Sequence, residues 1–262
     1  MTPPMIFIPG LFETPDIWAP TQARLGLSAA RCLNLPLPGH DPARRALTVA
    51  EWSGDASARI ADFAGGEPAM IVSHSTGAML SLILAQQNPA AIDSIVMAGG
   101  LTCGHRGRAA CFSTEVMKWP KVARPLFGVL WRYWLSNRAR FEQGLRSVTT
   151  PAVAAEFSEQ MRSSLQACRA EDIRLLADWV LRHSLIDVLE NISTPVLAVI
   201  GSADAVVPAR HQLNILRGVS HAQGYLMDAG HLPFLENPRA FDSALLGWMT
   251  MRQAARPFSA AA

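Results

Sequence analysis

Apolar residues in this chain fall into short unbroken runs, separated by stretches in which they recur every three or four positions. A run of four to eight closed by turn formers predicts a strand buried on both faces, and the wider spacing predicts an amphipathic helix. Met5–Ile8, closed by Pro9-Gly10, reads as the first strand, and Asp16–Leu25 as a short helix. Ala30–Asn34 is a weaker strand, followed by the turn-rich segment Pro36-Leu37-Pro38-Gly39-His40-Asp41. Val49, Trp52, Ala56, Ile60 and Phe63 trace one helix face, with Thr48 as N-cap, Glu51 as its capping-box partner and Gly65-Gly66 as the stop. Ala69–Val72 predicts a strand, Thr76–Gln87 a strongly apolar helix ended by Pro89, and Ser94–Ala98 a strand closed by Gly99-Gly100.

From about Thr102 to Glu190 the chain predicts helices and no convincing strand. Alternation resumes with a strand at Val196–Ile200, a helix from Pro208, a strand near Gln223–Met227 and a final helix over Pro238–Arg252 that points Phe241, Leu245, Trp248 and Met249 inward. The tail from Phe258 is expected to fray. Strands alternating with helices predict an α/β class, a mostly parallel sheet with helices on both faces. The core is expected to span residues 1–101 and 191–262, with 102–190 as a helical insertion.

With 262 residues, half of them apolar, the chain is long enough for one sizeable core. The four cysteines form no CxxC pair and no zinc spacing with histidine, so neither a metal nor a cofactor is expected. No basic n-region precedes the first apolar run and no run is long enough to span a membrane, so a cytoplasmic setting is the expectation. The net charge of +2 does not point to nucleic acid, but it is unevenly spread. Residues 102–150 carry nine basic and two acidic side chains, +7, leaving −5 for the remainder. A basic surface there could meet an acidic partner, or could be an ordinary solvated helix face.

The segment Ile71-Val72-Ser73-His74-Ser75-Thr76-Gly77-Ala78 carries the main chemical signal. A strand runs into a serine with small residues at both second neighbours and then into a helix, which places the hydroxyl on a tight exposed turn. Ser73 stands where the motif normally has glycine, and its Cβ is expected to crowd the turn. Asp204 follows the strand Val196–Ile200 and His231 follows the strand near Gln223–Met227, so serine, aspartate and histidine come in that order, each after a different strand. In a parallel sheet those positions share the carboxyl edge. A serine hydroxyl needs a base, an imidazole can be that base, and a carboxylate can fix the imidazole's tautomer. Ser75, His231 and Asp204 are therefore the candidate nucleophile, base and orienting acid, with Asp228 as the fallback acid. The backbone N–H groups of Thr76 and Leu11 are the candidate oxyanion donors. His74 is expected to be a packed core histidine turned away from the serine.

On Ile8-Pro9-Gly10-Leu11, Leu35–Asp41, Ser73–Gly77, Gly201–Pro208 and Ala229–Pro238, the chain resembles the α/β-hydrolase superfamily over nearly its whole length. The resemblance implies that Ser75, Asp204 and His231 form a triad, that Leu11 and Thr76 are oxyanion donors and that residues 102–190 are a lid. Pro9 stands where the family often has histidine, which removes one support of the oxyanion loop. Phe112, Trp119, Phe127, Trp131, Tyr133 and Trp134 could line an acyl pocket or pack the insertion itself. The first functional expectation is hydrolysis of a small or medium apolar carboxylic ester through an acyl-serine. A narrower variant, resembling carrier-protein methyl ester esterases, has an acidic carrier protein at the basic lid. A different class, the cofactor-free dioxygenases of this fold, resembles the chain in its Ser-His-Ser stretch, and a signal-binding protein with a slow triad is a third class.

Overall fold

The computed structural model describes residues 2–104 and 120–255. His105, Cys111, Phe112, Trp119, the basic residues Arg106, Arg108 and Lys118, Glu115 and the tail from Phe258 lie outside the described residues, and of Lys121 and Arg124 only the backbone is described. Six strands form one sheet: β1 (Met5–Ile8), β2 (Cys32–Asn34), β3 (Ala69–His74), β4 (Ile92–Ala98), β5 (Val196–Gly201) and β6 (Ala222–Met227). Their order is β2-β1-β3-β4-β5-β6 and every neighbouring pair is parallel.

Side chains on a strand alternate between faces, and both faces here are covered. Ile6, Ile8, Ile71, Ile95, Val196, Ala198 and Ile200 pack on one side. Met5, Phe7, Met70, Val72, Val96, Leu197 and Val199 pack on the other. Helix α1 (Ala19–Arg24) follows β1, and the first face receives α2 (Val49–Ala64) and α3 (Thr76–Gln87), which supply Trp52, Ile60, Met79 and Leu80. The opposite face receives Trp18 and the long C-terminal helix, through Phe241, Leu245, Trp248 and Met249, as its spacing predicts. The Thr48–Glu51 capping box forms in full, and Gly65 closes α2 at φ 57°.

Element ends depart from the expectations where local pattern is weakest. β3 continues to His74 and β4 starts at Ile92, because buried polar residues sit in register with the neighbouring strand. The helix expected from Pro208 is two short ones, Ala209–Gln212 and Asn214–Gly218. Between β4 and β5 the described residues form four helices: α4 (Pro120–Leu135), α5 (Arg138–Leu145), α6 (Pro151–Gln166) and α7 (Ala170–Arg182). Their apolar faces, including Trp131, Leu135, Phe141, Leu145, Met161, Leu165 and Ile173, join the cluster that holds Trp18 and Phe234. The insertion thus packs directly on the sheet domain.

Candidate active site

Because all strands run the same way, the loops after β1, β3, β5 and β6 emerge at one edge. Ser75 lies between β3 and α3 with φ 50° and ψ −115°, a left-handed backbone that non-glycine residues rarely adopt and that costs roughly 1–3 kcal/mol. The turn is tight because the start of α3 nearly touches the chain leaving β1. A Cβ on Gly77 would lie 2.3 Å from the Pro9 carbonyl oxygen, and one on Gly10 would lie 3.1 Å from the Ser75 Cβ. Ser73 fits this crowded site because its hydroxyl is used. Its Oγ is 3.1 Å from Ser81 Oγ on α3 and 3.3 Å from the Val96 carbonyl.

The three expected side chains meet. His231 Nε2 is 3.1 Å from Ser75 Oγ, and His231 Nδ1 is 2.8 Å from Asp204 Oδ2. All three residues are buried, at 8% exposure or less. Asp204 is saturated with donors. Its Oδ1 accepts the N–H groups of Val206 and Val207, each at 2.8 Å, and its Oδ2 accepts Gln212 Nε2 at 3.0 Å besides the imidazole. With Nδ1–H donating to the carboxylate, Nε2 is left to accept the serine proton. Asp228, the fallback acid, is exposed, and its backbone carbonyl accepts from Asn237.

The loop after β1 is organised around one amide. The Gly10 N–H donates to Glu13 Oε2 at 2.5 Å, the Phe12 N–H to His40 Nε2 at 3.4 Å and the Glu13 N–H to the Gly10 carbonyl at 3.2 Å. The Leu11 N–H is the remaining one in that turn. Phe12 takes φ 66°, a second strained residue. Thr76 is the first residue of α3, so its N–H has no carbonyl within the helix to reach. His40 must stay neutral to accept from Phe12. Burial pushes its imidazole down to about 4, partly offset by the Nδ1–H bond to the Pro38 carbonyl. The support lost with Pro9 is thus supplied by Glu13 and His40.

Sequence reasoning missed three polar residues here: Glu13, Gln212 and Glu236. Glu236 Oε2 accepts the Gly230 N–H at 2.7 Å and its Oε1 accepts the Leu232 N–H at 3.0 Å, so one carboxylate grips the backbone on both sides of His231. Thr149, just before α6, also donates to Oε1 at 3.1 Å. The only hint in the sequence was a carboxylate five residues after the histidine. His74 is buried, and its ring contacts His231, Phe234 and Glu13 rather than the serine hydroxyl.

Above the loop after β1, Ala177 of α7 packs against Leu11, Phe127 of α4 and Leu181. Trp131 and Trp134 pack near Phe12, and Trp134 also lies against Phe141. Tyr133 is 58% exposed and stacks under Arg140, so it lines no apolar pocket. Among the described basic side chains, Arg138 bonds to Ser158 and the Ala155 carbonyl, Arg140 to Ser136, and Arg146 to Glu142. A cleft of about 290 Å³ lined by Trp131, Arg132, Gln166 and Cys168 opens in the insertion, away from Ser75. Among the described residues there is no cluster of histidine, cysteine and carboxylates that could hold a metal ion, and no helix long and apolar enough to cross a membrane.

Residues 5–244 match the model of the alpha/beta hydrolase family. A protein of Caulobacter sp. (strain K31) named "putative carbamate hydrolase RutD" is 26% identical, the match covering 94% of this chain and 90% of that protein. Among solved structures, the enol-lactonase of Burkholderia xenovorans LB400 superposes with a TM-score of 0.71 at 17% identity, covering 95% of this chain and 92% of the other. An esterase of Thermogutta terrifontis superposes at 0.70 with 16% identity, covering 95% and 90%. These likenesses to solved structures establish the fold. The family match spans nearly the whole chain, and the chain belongs to the alpha/beta hydrolase family and is a hydrolase.

Proposed function

We propose that the enzyme cleaves a carboxylic ester with a small or medium apolar acyl group through an acyl-serine intermediate. The observation that carries this reading is the continuous chain from Ser75 Oγ through His231 to Asp204, 3.1 Å and 2.8 Å, on a serine held at positive φ. As Ser75 Oγ attacks the ester carbonyl carbon, its proton passes to His231 Nε2, and Asp204 stays ionised and stabilises the imidazolium. The carbonyl oxygen becomes an oxyanion, held by the N–H groups of Leu11 and Thr76 and by the positive end of α3. Collapse expels the alcohol, which takes the proton from Nε2–H. Water then attacks the acyl carbon and gives a proton to the same nitrogen; the Ser75 Oγ–acyl bond breaks, Oγ takes that proton back from Nε2–H, and the acid leaves. The apolar wall of Leu11, Phe127, Ala177 and Leu181 suits a hydrocarbon acyl group. We assign residues 102–190 the role of the lid that carries this wall.

The test is a panel of esters of increasing acyl length, with a lactone and a carbamate alongside, run on wild type and Ser75→Ala. Fluorophosphonate labelling of wild type accompanies it. Turnover that falls at least 1,000-fold in Ser75→Ala, with labelling lost, is expected. A Ser75→Ala enzyme that consumes oxygen with a hydroxyquinolone, or one that keeps full esterase activity, overturns the reading. Faster turnover of the carbamate than of every ester moves the substrate class.

A further inference from the structure

Two buried residues besides Ser75, His231 and Asp204 join the two halves of the site. Glu13 is 5% exposed and His74 is 1% exposed. One oxygen of Glu13, Oε2, meets both the Gly10 N–H at 2.5 Å and His74 Nδ1 at 2.9 Å. The other nitrogen of His74, Nε2, is 2.8 Å from the backbone carbonyl of His231. We infer that Glu13 and His74 are positioning residues: a clamp that fixes the loop presenting the Leu11 N–H relative to the loop presenting His231. The inference rests on the acyl-serine reading, since the two loops it joins carry the oxyanion donor and the base of that reaction.

The hydrogen-bond inventory makes the clamp demanding. A carbonyl only accepts, so His74 Nε2 must carry a hydrogen. Oε2 must accept from Gly10 and also share a hydrogen with Nδ1. A His74 ring with a hydrogen on each nitrogen, one toward Glu13 Oε2 and one toward the His231 carbonyl, meets every one of these bonds. The groups around the ring are Glu13, His231 and Asp204, and burial opposes a charge there. Burial pulls the imidazole down, but the charge and hydrogen bond of Glu13, joined by the His231 carbonyl and Asp204, raise it above its ordinary value. Glutamine at position 13 cannot replace it. Its amide oxygen would leave a charged imidazole buried without a counter-ion, and its NH2 would face the Gly10 N–H. The geometry leaves no slack on the other side either, because a Cβ on Gly10 would lie 2.7 Å from His74 Nδ1 and 2.9 Å from Glu13 Oε2. Without the clamp, Phe12 at φ 66° is held in its strained conformation by its turn bonds, His40 and the rings of Trp131 and Trp134, with nothing tying the loop to the one that carries His231. The oxyanion amide would then sample positions in which it no longer faces the serine.

The experiment compares Glu13→Gln, His74→Asn and the double variant with wild type on one soluble ester, with rates expressed per site labelled by fluorophosphonate so that unfolded protein does not count. Each single variant is expected to lose 10- to 100-fold in kcat with KM within threefold, and the double variant to lose no more than the worse single, because one chain is cut once. Glu13→Asp, one methylene shorter, should fall between. A purely structural role predicts lower melting temperature with unchanged turnover per labelled site, and that result overturns the clamp. So does a double variant whose losses multiply. Hydrogen exchange of the wild-type protein gives a reading that needs no variant to fold: the Gly10 amide should exchange at least 100-fold more slowly than the Leu11 amide, and equal rates overturn the proposal. Ser75→Ala, run alongside, separates the two readings. Full activity in Ser75→Ala defeats the acyl-serine mechanism, whereas normal turnover per site in Glu13→Gln and His74→Asn defeats the clamp alone.

Discussion

Replacing Asp204 by asparagine should disable the enzyme without unfolding it, and the structure dictates how. The two carboxylate oxygens have different partners. Oδ1 holds two backbone N–H groups, of Val206 and Val207, and Oδ2 holds Gln212 Nε2 and His231 Nδ1. An asparagine keeps its oxygen at the backbone pair, since an NH2 placed there would oppose two fixed donors. Its NH2 therefore takes the Oδ2 position and faces the imidazole. His231 can meet it only by turning Nδ1 into an acceptor and moving the hydrogen to Nε2. That hydrogen then points at Ser75 Oγ, 3.1 Å away, and no base remains. Locking a triad histidine in the wrong tautomer costs about 10⁴ in kcat, equivalent to roughly 5.4 kcal/mol, and the same order is expected here. Stability should fall by about 1–3 kcal/mol, because Gln212 Nε2 loses the Oδ2 acceptor to an opposing NH2 while keeping the Val207 carbonyl at 2.6 Å. The assay is steady-state hydrolysis of the best ester, with thermal unfolding of the same preparations. Retention of more than a tenth of wild-type kcat, or a loss carried wholly by KM, would refute the tautomer argument. Asp228→Asn is the control and should be silent.

Two further outcomes follow from the surroundings of Ser75, Asp204 and His231. Gly99 has φ 53°, and a Cβ on it would lie 2.9 Å from the His231 carbonyl oxygen and 3.1 Å from its Nδ1. Gly99→Ala should therefore lower kcat/KM by at least tenfold and stability by about 1–2 kcal/mol, and unchanged kinetics would show that the histidine loop is freer than drawn. His40 gives an acid limb to stability. Its imidazole is held at about 4 in the folded protein against about 6.5 unfolded, so the unfolded chain takes up a proton first as pH falls. Its contribution is complete above pH 6.5 and is lost between there and pH 4, by about 3 kcal/mol. Denaturant titrations at several pH values should show that slope reduced in His40→Gln, and an identical slope in both proteins would discount the residue.

What could be read in the sequence was whatever depends on neighbours along the chain. Apolar runs marked β1, β3 and β5, and the Thr48–Glu51 spacing marked a capping box, because strand burial and helix capping are local rules. The positions of Ser75, Asp204 and His231 were legible because each follows an apolar strand, and parallel strands bring such loops to one edge. Glu13, Gln212 and Glu236 were not legible. Their partners are backbone amides, a second carboxylate and a histidine whose nearness depends on how the loops fold over one another, and nothing in their own surroundings separates them from solvated residues. Ser73 was read as a crowding of the turn. Its hydroxyl instead finds Ser81 two turns into α3, a partner visible only once strand and helix are packed. Tyr133 illustrates the opposite error, an aromatic whose type suggests a pocket but whose side of the helix faces water.

The bond from Thr149 to Glu236 has a consequence for anyone wishing to re-tailor this enzyme. The carboxylate that steadies the peptide around His231 is shared with a hydroxyl just before α6, so on the acyl-serine reading proposed above the insertion and the histidine loop would not be separable modules. A chimera that exchanges the whole insertion for a foreign one would strip a donor from that carboxylate and loosen the imidazole, even if the new helices packed well. Splicing downstream of Thr149, or supplying a hydroxyl at the equivalent place in the donor segment, would keep the two functions independent enough to redesign one without crippling the other.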